Sequence, residues 1–177
     1  PGPVFFLHQR VGLRKHLFPM YKFRTMYTDA EKRLKEIELL NEAEGPIFKM
    51  ANDPRVTRVG RILRRYSIDE LPQLINVLHG EMSLVGPRPE MPQIVARYGD
   101  VERSRLSTRP GLTGIWQLSP DRSQAIHENL EYDLYYLSRN SLILDFLILG
   151  ETLFFFARAL GSSLARGFRK LDPEAIA

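Results

Sequence analysis

Pro72 is the residue that most limits how this chain can fold. It has no N–H to give a helix and it crowds the preceding Leu71 away from helical geometry, so the helix-compatible stretch around it must break between Ser67 and Pro72. The break falls within SIDELPQL, residues 67–74, where Asp69 and Glu70 stand side by side. On a continuous helix, adjacent side chains diverge by about 100 degrees and would not serve one site. A junction removes that restriction. With Asp69 at or near the N-cap of the helix through Pro72, both carboxylates lie at its positive end, beside free N–H groups suited to a phosphate. The plain structural alternative is a capping box, Ser67-x-x-Glu70, with Asp69 complementing the helix dipole.

The flanks set the surroundings of this pair. Asp53-Pro54 reads as an N-cap and first-turn proline opening a helix through about Tyr66. On that helix Val56, Val59, Ile62, Leu63 and Tyr66 share one sector, Arg55, Arg58, Arg61 and Arg65 another, and Arg64 falls on a third side. The helix after the break runs to Gly80, a C-terminal stop. Upstream, Val4 to Gln9 and Tyr21 to Met26 predict a hairpin whose long connection contains Gly12 and Pro19. The period of two in its second strand places Lys22, Arg24 and Met26 on one face and Tyr21, Phe23 and Thr25 on the other.

Residues 29–44 predict a solvated helix ended by Gly45-Pro46. GPRPE (86–90) and RPGLTG (109–114) read as loops flanking a helix from about Met91 to Leu106, and Gln124 to Arg139 as a further helix. Ser141 to Leu160 is strongly apolar, but Asp145, Glu151 and Arg158 interrupt it. No uncharged run approaches the roughly 20 residues needed to span a bilayer, so the stretch reads as a buried helix or one lying along a membrane surface. The expected fold class is α+β: one domain over residues 1–177, mostly helical, with a small N-terminal hairpin and amphipathic interfacial helices.

The chain has no cysteine, which excludes disulfides, thiol catalysis and thiolate metal sites. Its net charge of +4 favours anionic partners such as nucleotides, nucleic acid or acidic lipid headgroups. A carboxylate among cations can attack phosphorus to give an acyl phosphate, provided the cations and a divalent metal withdraw the charge that keeps two anions apart. Mg2+ fits because its site is often one or two carboxylates plus substrate phosphates. His8, His16, His79 and His127 lack metal-ligand spacing.

GPVFFLHQRVG, YKFRTM, DPRVTRVGRILRRYSIDELPQLINVLHGEMSLVGPRPE, RPGLTGIWQ and YDLYYLSRNSLILDFLI, in that order, resemble the bacterial sugar transferases, or monotopic phosphoglycosyl transferases. The resemblance covers nearly all of residues 1–160, and the long central block is its most specific part. It implies transfer of a sugar phosphate from a UDP-sugar donor to a polyprenyl phosphate acceptor, with release of UMP, at the cytoplasmic face of the bacterial inner membrane. Exopolysaccharide, capsule or O-antigen synthesis would begin with this step. By the same resemblance Asp69 is the nucleophile and contacts Mg2+, and Glu70 is a general base; because two close carboxylates resist joint ionisation, positioning the metal or tuning Asp69 are the alternative roles for Glu70.

Lys22 and Arg64 match positions around the phosphates, and Arg24 shares the face of Lys22. Pro87, Arg88 and Pro89 match a motif associated with the nucleotide, and Gln117, after the lone Trp116, is a further substrate-binding candidate. The family also implies contact with the membrane surface and leaves a homodimer open. Its members carry a membrane-inserting helix just before PGPVFF, so a sequence opening on Pro1 reads as a fragment of a longer protein. Arg158, Arg166, Arg169, Lys170 and the aromatic run ending at Phe156 could touch the bilayer surface.

Two alternatives stand against this. A basic nucleic-acid-binding module would rest its arginine helix on phosphates, and its binding would survive Asp69→Asn. An inactive lipid-binding domain would associate with vesicles without turning over nucleotide.

Overall fold

Two seven-residue strands, β1 (Phe5–Val11) and β2 (Leu17–Phe23), open the chain as an antiparallel hairpin in the computed structural model. The structure describes residues 2–37, 41, 48, 50, 52–123 and 129–169. The connection is shorter than expected. Gly12 N–H donates to His16 O at 2.8 Å, and Arg14 and Lys15 take positive φ of 50° and 66° to close it. Pro19 therefore lies inside β2, opposite Gln9, a placement open to proline on an edge strand.

Helix α1 (Ala30–Ile37) begins the expected charged helix, and Arg33 pairs with Asp29 at 2.8 Å on its surface. Its expected continuation over 38–40 and 42–44, with the Gly45-Pro46 stop, lies outside the described residues.

The helix expected from Asp53 starts later. Thr57 caps α2 (Arg58–Arg65), its Oγ1 accepting from Gly60 N–H at 2.9 Å. Asp53 instead accepts from the N–H of Arg55 and grips its guanidinium, with Nη2 to Oδ2 at 2.6 Å. A short carboxylate reaches a backbone donor two residues on as readily as it caps a helix. Arg55 is buried by this pairing and does not belong to the exposed arginine face. The expected apolar sector is not one buried face either, since Val59 and Ile62 are 65% and 59% exposed. What seats α2 is Gly60: a Cβ there would stand 2.0 Å from Thr25 O.

The break falls where Pro72 requires but is made by another residue. Ser67 turns the chain with a left-handed φ of 52°, a 3-10 turn follows over Ile68–Glu70, and Leu71 is already helical at φ −55° and ψ −35°. Asp69 thus sits inside the turn and not at an N-cap. Ser67 makes no side-chain cap bond, so the capping box is not formed. Helix α3 (Gln73–Leu78) follows, stopped by Gly80 at φ 75°. Its fully buried Asn76 donates to Pro19 O and accepts from Tyr21 N–H, tying α3 to β2. Phe18, Met20 and Met82 close the first small core against Val77.

Strand β3 (Ser83–Val85) precedes α4 (Pro92–Val95) and α5 (Asp100–Arg103), two short helices where one was expected over Met91–Leu106. Gly99 is extended at the start of α5 and interrupts the run. Strand β4 (Gly111–Thr113) then pairs in parallel with β3, Ser83 opposite Gly111 and Val85 opposite Thr113, so RPGLTG is partly strand. A Cβ on Gly111 would lie 2.1 Å from Gly86 N, which is why the two loops can touch.

Helix α6 (Ile115–Leu118), α7 (Leu130–Arg139) and α8 (Leu142–Arg169) complete the chain. Residues 124–128 of the expected Gln124–Arg139 helix lie outside the described residues. Val85, Tyr136 and Ile148 form the second core, with Ile115, Leu118 and Leu144 packed against it. Asp145, which interrupts the apolar run, accepts from the Tyr136 hydroxyl at 2.8 Å. The other side of α8 is apolar and exposed: Leu142, Phe146 and Leu153 are all more than 70% accessible. Among the described residues, no helix is long and apolar enough to cross a membrane. The side chains of Arg166, Arg169 and Lys170 lie outside the described residues. The α+β class, mostly helical with a small N-terminal hairpin, holds.

Candidate active site

The hairpin, the 67–72 junction and the β3 and β4 loops converge on a cavity of about 1270 Å3. Asp69, Glu70, Lys22 and Arg64 line it, as do Arg24, Arg88 and Gln117. Seven of the nine sequence-predicted site residues therefore share one space. Pro87 and Pro89 do not line it. They border a small cleft beside Tyr98 and Arg105, where Gly111 N–H donates to Pro87 O at 2.8 Å.

Glu70 is the most heavily engaged acid. Lys22 Nζ approaches its Oε1 at 2.8 Å, and Arg88 takes both oxygens, Nη2 to Oε1 at 2.6 Å and Nη1 to Oε2 at 3.3 Å. Burial opposes ionisation of this carboxyl, but the guanidinium and ammonium outweigh it and hold Glu70 well below the usual carboxylate range. Burial likewise draws the Lys22 ammonium down, opposed chiefly by Glu70.

Asp69 differs from its neighbour. It makes no ion pair among the described residues. Burial pushes its carboxyl up from the ordinary aspartate value, with Lys22 and then Arg64 pulling the other way and Glu70 adding to the rise. The two adjacent acids thus differ: one is saturated with cations, and the other lies in the same cationic field without an ion pair among the described residues. Arg64 is itself directed by Thr25, whose Oγ1 accepts from Arg64 Nε at 2.9 Å. Arg24 donates to Pro3 O at 2.9 Å and lies over the Phe6 ring, so its guanidinium is already spent on the start of the chain.

Among the described residues, no group of three His, Asp or Glu side chains forms a metal cage. A carboxylate without an ion pair suits Mg2+, which commonly takes one or two protein carboxylates and completes its shell with water and substrate phosphates. Asp69, in the field of Lys22 and Arg64, fits such a role.

His8, Thr25 and Trp116 also line the cavity and were not among the predicted site residues. The alternation of β1 contains the signal for His8, since Phe6 and His8 share a face and Phe6 is opposite Lys22. Burial, followed by Arg10 and Lys22, lowers the His8 imidazole to about 4. For Thr25 alternation misleads, because β2 ends at Phe23 and the next residues turn into the same cavity.

This chain belongs to the bacterial sugar transferase family, whose model matches residues 1–159. It is 41% identical to the galactosyl transferase CpsE of Streptococcus agalactiae over 86% of this chain and 34% of that protein. The undecaprenyl-phosphate galactose phosphotransferase of Salmonella typhimurium is 44% identical over 85% of this chain and 33% of its own length. The exopolysaccharide production protein ExoY of Rhizobium meliloti is 40% identical over 86% of this chain and 69% of its own. The chain thus spans about a third of the length of the first two relatives. Nothing in these comparisons supports the nucleic-acid-binding alternative.

Proposed function

We propose that this chain carries the catalytic centre of a phosphoglycosyl transferase, moving a sugar 1-phosphate from a UDP-sugar to undecaprenyl phosphate and so initiating a bacterial surface glycan. The observation that supports it most is the division of labour between Asp69 and Glu70. An acid without an ion pair, in a cation-lined cavity beside an acid that anchors those cations, suits covalent attack on a diphosphate.

In the first step an Asp69 carboxylate oxygen attacks the phosphorus that bears the sugar. The new O–P bond forms as the bond to the bridging oxygen breaks, and that oxygen leaves with the electron pair as UMP. In the second step an oxygen of the acceptor phosphate attacks the same phosphorus and displaces Asp69, regenerating the carboxylate. Lys22, Arg64 and Arg88 surround the charge that moves through these steps. Glu70 serves best as the anchor of Lys22 and Arg88. The acceptor, a phosphate monoester with a second pKa of about 6, is largely a dianion at neutral pH and has little need of a base. Asp69 would hold Mg2+, which would supply neutralisation of the diphosphate charge.

The setting proposed for this reaction is the cytoplasmic face of the inner membrane, with the exposed apolar side of α8 against lipid. Relatives are named for galactose, N-acetylgalactosamine and glucose, so these three UDP-sugars form the first panel. The test supplies full-length protein with undecaprenyl phosphate, Mg2+ and each UDP-sugar, and measures UMP. Release is expected with at least one sugar and should vanish in Asp69→Asn at unchanged folding. If no sugar gives release above that variant, the proposal fails.

A further inference from the structure

Arg105 lies away from the cavity, is 4% exposed, and carries three contacts that none of its local sequence requires. Its Nη1 donates to the Tyr98 hydroxyl at 2.6 Å, and its Nη2 donates to the main-chain carbonyl of Arg88 at 3.0 Å. The same Nη2 stands 2.6 Å from Asp133 Oδ2, a close charge contact outside the alignment of a hydrogen bond. Asp133 sits on α7 and is itself 4% exposed. Desolvation pushes its carboxyl up to about 6, opposed first by Arg105.

A buried guanidinium is costly unless its donors are all directed, so one spending a donor on a single loop carbonyl fixes that carbonyl's position. The carbonyl belongs to Arg88. Arg88's side chain grips Glu70 through two bonds, and Glu70 is bonded in the chain to Asp69. Pro87 and Pro89 stiffen the loop on both sides of Arg88, leaving its placement to contacts from outside the loop. A continuous line of contacts thus runs from Asp133 on α7, through Arg105 and Arg88, to the acidic pair.

We propose that Arg105, held by Asp133 and Tyr98, is a positioning residue: it sets the place of Arg88, and through it the geometry of Glu70 and the phosphate cleft. This rests on the transferase reading for its kinetic consequence but not for its geometry. Arg105 touches no reacting atom, and its effect must pass through Arg88.

The experiment measures UMP release by full-length protein carrying Arg105→Lys or Asp133→Asn, each alone and combined with Arg88→Lys. Arg105→Lys keeps the charge and loses the fork, and Asp133→Asn keeps the shape and loses the charge. Either change should lower kcat/KM by roughly 10- to 100-fold, the scale of a misplaced catalytic group, while thermal unfolding remains cooperative. In the Arg88→Lys background the same changes should cost little more, because the group they position has already been altered. An equal loss in both backgrounds, or wild-type kcat/KM in Arg105→Lys, overturns the proposal.

A structure of the Arg105→Lys variant decides the geometric half without turnover. The Arg88 contacts with Glu70 should open beyond hydrogen-bond distance, and contacts retained at 2.6 and 3.3 Å would overturn the positioning role. Absence of UMP release from the wild type would defeat the transferase reading alone, leaving this second measurement to decide the role of Arg105.

Discussion

Arg88 holds both oxygens of Glu70, at 2.6 and 3.3 Å, while Lys22 shares the nearer oxygen at 2.8 Å. Two cations that would repel each other are kept together on one wall of the cavity by a single carboxylate. Among the described residues no ion pair holds Asp69, and the asymmetry of the pair lies in its partners, not in its chemistry.

Glu70→Gln keeps the shape of that anchor and removes its charge. It should destabilise the protein by ~1–3 kcal/mol, since two partly buried cations lose their counter-ion. The folded carboxyl is held below its ordinary value of 4.5, so its stabilisation is complete above that pH and disappears as pH falls toward the folded value. Chemical denaturation from pH 7 down to 3 should show the gap between wild type and variant narrowing below about pH 4.5. A gap that stays constant would contradict the assignment.

Gly60→Ala tests the close approach of α2 to the end of the hairpin. With a Cβ placed 2.0 Å from the Thr25 carbonyl, the helix must shift away from a backbone atom that cannot yield. A loss of ~1–3 kcal/mol is expected, the range for overpacking. Because Arg64 reaches Thr25 across the same contact, UMP release should fall more than it does for Gly150→Ala, where a Cβ meets nothing within 4 Å. Calorimetry and the release assay, run on both variants, provide the check.

His8 offers a titration of opposite charge type. Its folded imidazole is lowered from 6.5 to about 4, so between those values the unfolded chain binds the proton more readily than the folded one. The wild type should therefore gain stability relative to His8→Gln as pH rises from 4 to 6.5, and hold that gain above it. Equal pH profiles for the two proteins would show that folding does not lower the His8 imidazole.

The exposed side of α8 presents Leu142, Phe146 and Leu153 to whatever it rests on. Replacing Phe146 and Leu153 with Glu should reduce partition onto anionic phospholipid vesicles by roughly tenfold or more, given about 1.5–3 kcal/mol for each large apolar side chain buried. Thermal stability should stay near that of the wild type, because neither residue belongs to the core around Ile148. Cosedimentation that is unaffected would rule out this face as the lipid contact.

Legibility in the sequence followed the range of the interactions involved. The covalent, local constraint of Pro72 is enough to expect a break beside Asp69 and Glu70, but the turn is made by Ser67 at positive φ while Leu71 stays helical. The start of α2 was misplaced because Asp53 and Thr57 are both good capping residues, and only the Arg55 guanidinium, drawing Asp53 away, separates them. Three-residue strands such as β3 and β4 carry no usable period, so their parallel pairing was invisible until the chain returned Gly111 to Gly86.

By itself the sequence determined that two adjacent acids would sit at a chain break among arginines and a strand lysine, and its ordered motifs were enough to indicate the family. Tertiary structure decided which acid is saturated with cations and which is left open, and it linked Arg88 to Arg105 and Asp133. Helix breaks and strand alternation are written in neighbouring residues. The choice of an ion-pair partner depends on which charges folding brings within a few ångströms, and those lie up to 48 positions apart here.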